Sequence, residues 1–151
     1  MPSNREEDFR RLAIELQMLE GTAEAMQQRI SLVNAALREL TYTRITLEGV
    51  EKEQSDASVL VPIGGGSFMR AKLETADKII VGMGAGISIE KTIGEAKEIV
   101  RNRTSGLEKS RVEMHQQLAQ IMKKIQEDKT QLNEMLAKYS EAEKKINVPK
   151  A

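Results

Sequence analysis

Two apolar series with coiled-coil spacing constrain this chain more than any other feature. The first runs Phe9, Leu12, Leu16, Leu19, Ala23, Met26, Ile30, Val33, Leu37 and Leu40, in steps that alternate three and four. That is the heptad rule, which buries a narrow seam between helices. Arg44 interrupts the series and Leu47 resumes it. Ser3 with Glu6, or Asn4 with Glu7, can form a capping box at the start. Gly49 is the expected stop. A helix over residues 4–48 would run roughly 65 Å at about 1.5 Å per residue.

The second series is Val100, Thr104, Leu107, Met114, Leu118, Ile121, Ile125, Leu132, Met135, Tyr139, Ala142 and Ile146, with Arg111 and Asp128 in its gaps. Thr92 and Glu95 form a capping-box start, and Pro149 closes the segment. The expected helix spans 92–148. Two matched seams in one chain are best satisfied by an antiparallel hairpin with both termini at its far end. Matching the seams from those ends puts Phe9 opposite Ile146, Leu16 opposite Tyr139, Leu19 opposite Met135 and Ile30 opposite Ile125. In that register Arg44 and Arg111 share a layer, with Glu48 or Glu108 within reach. Asp128 lies opposite Met26 and leans out toward Lys124 or Arg29.

Residues 50–91 have a different texture. Val59-Leu60-Val61-Pro62-Ile63 is a short β-like run, Gly64-Gly65-Gly66 a turn, and Phe68 to Leu73 a return strand. A second pair comes next: Lys78 to Val81, the turn Gly82-Met83-Gly84-Ala85-Gly86, and Ile87 to Glu90. β-branched runs between glycine clusters read as two consecutive β-hairpins. The fold class is therefore α+β, a long antiparallel coiled-coil hairpin with two inserted β-hairpins.

Composition agrees. Charged residues make up 30% and aromatics 3%, with no Trp. A compact core would use more large rings; long helices do not need them. Lys and Arg total 23, as do Asp and Glu. Without a basic surplus, nucleic acid is a poor partner. No Cys and a single His, His115, leave little for thiol chemistry or a metal site. His115 belongs on a solvated helix face. No apolar run suits a membrane span and the first residues do not form a signal peptide, so a soluble cytoplasmic chain is expected. The glycine loop at Gly82–Gly86 lacks the following helix of a dinucleotide fold, and no P-loop Lys follows Gly64–Gly66. No carboxylate pair is set up for hydrolysis. The chain is not expected to be an enzyme or to carry a cofactor.

A connection of about 40 residues is far longer than a helix-to-helix turn, and too small to be stable alone. Its exposed strand edges invite further pairing. Strands of several subunits are thus expected to join into a shared oligomeric β-barrel, through Val59, Val61, Ile63, Phe68, Ile79, Val81, Ile87 and Ile89.

This arrangement, with Val61-Pro62-Ile63-Gly64-Gly65-Gly66-Ser67-Phe68 and Ile80-Val81-Gly82-Met83-Gly84-Ala85-Gly86, resembles the α class of the prefoldin family, and within it the archaeal type. The resemblance covers nearly the whole chain. It implies a body of two α-type and four β-type subunits. It also implies an ATP-independent holdase that binds non-native proteins and passes them to a group II chaperonin. The coil ends are the expected grip, because helix ends fray and exposed apolar patches mark binding sites. The candidates there are Phe9, Leu12, Ile14, Leu16, Tyr139, Ile146 and Val148, with plain coiled-coil core as the competing role, most of all for Leu16 and Tyr139. The rival function is a structural tether or scaffold built on the same hairpin, which would not suppress aggregation.

Overall fold

The computed structural model describes residues 4–147. Ser3, Val148 and Pro149 lie outside the described residues. The element order is helix α1 (Asn4–Glu51), strands β1 (Ser58–Gly64), β2 (Ser67–Lys72), β3 (Lys78–Gly84) and β4 (Ile87–Thr92), then helix α2 (Ile93–Ile146). Glu6 and Glu7 lie in the first turn of α1, where acidic side chains complement the helix dipole. Gly49 does not stop α1, which continues to Glu51. The chain leaves the helix by tighter bonds, from the Lys52 amide to the Gly49 carbonyl and from the Glu53 amide to the Val50 carbonyl. α2 starts on the capping box read from the sequence. The Thr92 amide donates to Glu95 Oε2 at 3.1 Å, and the Glu95 amide donates to Thr92 Oγ1 at 3.2 Å.

The chain divides into two compact units. One comprises the segments up to Leu32 and from Ser110 onward; the other is Val33–Lys109.

In the first unit, α1 and α2 meet along the expected seam. Leu12, Ala23, Ile30, Ile125 and Asp128 are buried. The register is not the one obtained by matching seam ends. The Phe9 ring packs edge-on against Tyr139, with centroids 6.4 Å apart and planes at 89°. Such a pair contributes about 0.5–1.5 kcal/mol beyond the area it buries. Phe9 thus lies one heptad closer to the start of α2 than Ile146, its expected partner. The cross-helix ion pair of Glu20 with Lys129 at 2.8 Å fits the same shift, and Glu15 also reaches Lys124 across the seam at 3.7 Å. The physical reason is that a seam repeating every seven residues superposes on itself after a slip of seven. Asp128 does not lean outward. It is fully buried in the seam, and Lys124 reaches in to it at 2.7 Å.

In the second unit, two separate two-stranded antiparallel sheets form, β1 with β2 and β3 with β4. Each closes on a two-residue turn with positive φ at both positions: 57° and 72° at Gly65 and Gly66, 51° and 75° at Ala85 and Gly86. These turns match the right-handed twist of the strands they join. The two hairpins are copies of one design. Their boundaries recur at 58 and 78, 64 and 84, 67 and 87, and 72 and 92. Each has a bulge at the same place, between Pro62 and Gly64 and between Gly82 and Gly84. The closing bond recurs too, from the Leu73 amide to the Ala57 carbonyl at 2.9 Å and from the Ile93 amide to the Asp77 carbonyl at 3.1 Å.

Candidate assembly surface and coil ends

Only one of the two hairpins is packed on helices. Val81 of β3 is 9% exposed and lies in a core with Leu47 of α1 and Ala96 and Val100 of α2. Leu40, Ile79 and Ile99 pack around that core. Burying a valine fully contributes about 1.5–3 kcal/mol. α2 follows β4 directly, so its first turns are delivered beneath the hairpin, and the small Ala96 side chain lets the strand approach closely. Polar contacts fix the arrangement. The Arg103 guanidinium donates to the Gly82 carbonyl at 2.6 Å, at the bulge, and lies 3.9 Å from Met83 Sδ. Lys97 pairs with Glu51 at 2.7 Å, tying the start of α2 to the end of α1. Arg44, exposed, pairs with Glu48 at 2.9 Å on its own helix, as the sequence allowed.

Hairpin β1–β2 has no buried residue. Val61, the equivalent of Val81, is 40% exposed. Ile63 and Phe68 are exposed as well, and Val59 is half-buried. In the second hairpin Ile87 and Ile89 are exposed, while Ile79 is half-buried. Of the residues expected to serve assembly, Val81 is therefore internal core within this chain. The sequence reading missed others. Leu60 and Met69 of the first hairpin and Ile80 and Met83 of the second are exposed, Ile80 by 76%. Strand alternation was the available signal: Leu60 and Ile80 fall on the face opposite Val61 and Val81. A short two-stranded sheet with apolar side chains on both faces and unpaired edges is an unfinished structure in water.

The expected grip at the coil ends splits into two groups. Leu12 is buried, and Phe9, Leu16 and Tyr139 are half-buried, so these four side chains belong to the seam. Ile14 and Ile146 are exposed, Ile146 by 82%. Val148 falls outside the described residues. Met18 and Leu136 are also exposed on this unit, and the sequence signal for them was their place off the heptad. A groove beside Phe9 is lined by Glu6, Arg10, Leu136, Tyr139 and Glu143. The Tyr139 hydroxyl and Asp128 Oδ2 are buried with no hydrogen-bond partner among the described residues. The hydrogen bond to Asp128 holds the Lys124 ammonium above the ordinary lysine value of 10.5, with the charges of Asp128, Glu15 and Glu127 acting the same way and desolvation opposing.

The glycine loop before Ile87 runs into strand β4, so it is a hairpin turn and not a phosphate cradle. His115 is exposed. Among the described residues no group of three or more His, Cys, Asp or Glu is placed to hold a metal ion. No helix among them is long and apolar enough to cross a membrane.

Antiparallel helices with two hairpins between them define a coiled-coil assembly protein. Comparison with known proteins gives its family. The family model described as prefoldin subunit matches residues 19–147. The chain is 36% identical over 124 residues to prefoldin subunit alpha of Methanosarcina barkeri, covering 80% of this chain and 86% of that one. It is 35% identical over 113 residues to the Methanopyrus kandleri subunit, covering 75% and 72%. The Pyrococcus horikoshii subunit is 32% identical over 141 residues, covering 93% and 95%. The cryo-EM structure of filamentous PFD from Methanocaldococcus jannaschii is similar in fold, with a TM-score of 0.64, 25% identity, and coverage of 74% of this chain and 92% of that one. The chain belongs to the prefoldin family, and its similarity is to archaeal alpha subunits. Prefoldin subunits are components of a chaperone and are not enzymes.

Proposed function

We propose that this chain is the α-type subunit of a cytoplasmic, ATP-independent holdase. It assembles through its hairpins with β-type subunits, two α with four β, into a shared β-barrel body. The coil ends hold non-native polypeptides for transfer to a group II chaperonin. The observation that carries this reading is the pair of two-stranded sheets, which expose apolar side chains and have no edge partner among the described residues. Such sheets are completed by strands from other chains. The grip is assigned to Ile14 and Ile146, which are exposed at the coil end, with Val148 as a further candidate. Weak apolar contacts suit clients without fixed shape, and several coil ends acting on one client raise avidity.

The test is light scattering of a denatured model client with and without the assembled complex. Ile14→Ser combined with Ile146→Ser is expected to leave complex mass and helix content unchanged and to weaken aggregation suppression. Trimming residues 1–12 and 143–151 is expected to weaken it further. Full suppression after every subunit's coil ends are trimmed would move the grip elsewhere. No suppression by the wild-type complex at any ratio would favour a tether.

A further inference from the structure

Helix α1 carries a second uncharged series on the side away from its buried seam. Ile14, Met18, Gly21, Ala25, Gln28 and Leu32 follow one another in steps of four and three, the same rhythm as the seam itself. All six are exposed, Met18 by 70% and Leu32 by 72%. The matching outer positions of α2 hold Glu113, Lys123, Glu127 and Glu134, also exposed, as a solvated helix face should. Gly21 is a second sign. Glycine in a helix interior is destabilising, and no neighbour among the described residues calls for it, since a Cβ there would meet nothing within 4 Å. A helix without a side chain at that point lets another helix approach closely.

We infer that this face pairs with the same face of a second copy of the chain, α1 against α1, antiparallel about a two-fold axis between Gly21 and Ala25. The order of side-chain sizes identifies the occupant. A two-fold contact has to be self-complementary. Turned on itself, the series sets Ile14 opposite Leu32 of the second copy, Met18 opposite Gln28, and Gly21 opposite Ala25. Small residues meet at the centre, where crossing helices come closest, and longer ones fill the widening gaps at the ends. The flanking charges agree. Glu15 falls opposite Arg29 of the second copy, and the pair is made twice. A parallel pairing would instead set Glu15 against Glu15 and Arg29 against Arg29, which repel. Glu24 falls beside its own copy at the axis, a like-charge contact that keeps the pairing weak and concentration-dependent. The pairing uses none of the hairpin strands. It covers Ile14, one of the two exposed grip residues assigned above.

The experiment uses the full chain in its assembled complex, carrying Met18→Cys and Gln28→Cys together; the chain has no native cysteine. Positions 18 and 28 lie ten residues apart on one helix, roughly 15 Å, too far to bridge within it. After mild oxidation, mass spectrometry of the linked peptides is expected to show a disulfide between position 18 of one copy and position 28 of another. Adding Ala25→Glu, which places a charge at the crossing, should lower its yield about tenfold. Gly21→Leu should do the same with helix content unchanged. Glu24→Gln should raise the yield about twofold. Disulfides linking 18 to 18 and 28 to 28 instead would overturn the antiparallel arrangement, and no disulfide between copies at any concentration would overturn the pairing. Ala25→Glu alone is expected to leave suppression of client aggregation intact. If it weakens suppression while the yield of the 18-to-28 disulfide stays unchanged, the face binds client instead of a second copy, and the inference fails. A wild-type complex that suppresses no aggregation defeats the holdase reading alone, and the disulfide still decides the pairing.

Discussion

Hairpin β3–β4 rests on its own helices, whereas hairpin β1–β2, built to the same turn, bulge and register, does not. The difference does not come from the strands. Val59-Leu60-Val61 and Ile79-Ile80-Val81 are equally apolar. It comes from the segment that each hairpin leads into. β4 passes straight into α2 through the Thr92–Glu95 cap, so the helix that covers it is covalently delivered. β2 passes into Leu73-Glu74-Thr75-Ala76, which brings no helix. A sheet face is stabilised by whatever connection places a second layer against it. Two copies of one hairpin can therefore have opposite roles, one as internal core and the other as an outward-facing surface.

The largest test of that contrast is a buried charge. Val81→Asp forces a carboxylate among Leu47, Ala96 and Val100 and is expected to cost on the order of 3 kcal/mol or more. Val61→Asp is expected to cost the isolated chain under about 0.5 kcal/mol, because the side chain already faces solvent. Both should abolish assembly. Urea denaturation followed by helix signal, beside size-exclusion with light scattering, measures the two effects. Equal destabilisation by both changes would break the comparison.

A smaller effect is expected at the clamp. Arg103→Ala removes the donor to the Gly82 carbonyl and should lower stability by about 1 kcal/mol. It should also raise hydrogen exchange in β3 and β4 while leaving β1 and β2 unchanged. Exchange rising equally in both hairpins would show that the clamp is not specific to the docked copy.

The smallest effect lies in the turns. Ala85 has a φ of 51°, where the first hairpin has glycine at the same place, Gly65. A side chain in left-handed backbone is strained, and glycine relieves that at some entropic cost. Ala85→Gly should stabilise the second hairpin by about 0.5 kcal/mol. The readout is the denaturation midpoint, and a lower midpoint would mean that Ala85 makes a contact worth more than its strain.

Much of this was legible in the sequence because it is local. Heptads mark helices, glycine clusters between β-branched runs mark hairpins, and Thr92 three residues before Glu95 marks a cap. The repeat of the two hairpins was also there to be read, in Gly64-Gly65-Gly66 against Gly84-Ala85-Gly86. Periodicity could not decide the helix register, because a seven-residue slip returns every seam residue to a seam position. Matching the series from their ends chose Phe9 against Ile146, whereas the structure pairs Phe9 with Tyr139.

What the amino-acid sequence determined by itself was the kind of element at each stretch of chain, since helix, strand and turn depend on neighbours a few residues apart. Only the tertiary structure decided which apolar residues are spent on packing and which remain available. Val81 became core while Val61 did not, although the two valines hold the same place in equivalent hairpins. Burial depends on what a second element brings against a face, and that partner lies far away in the chain or in another chain altogether.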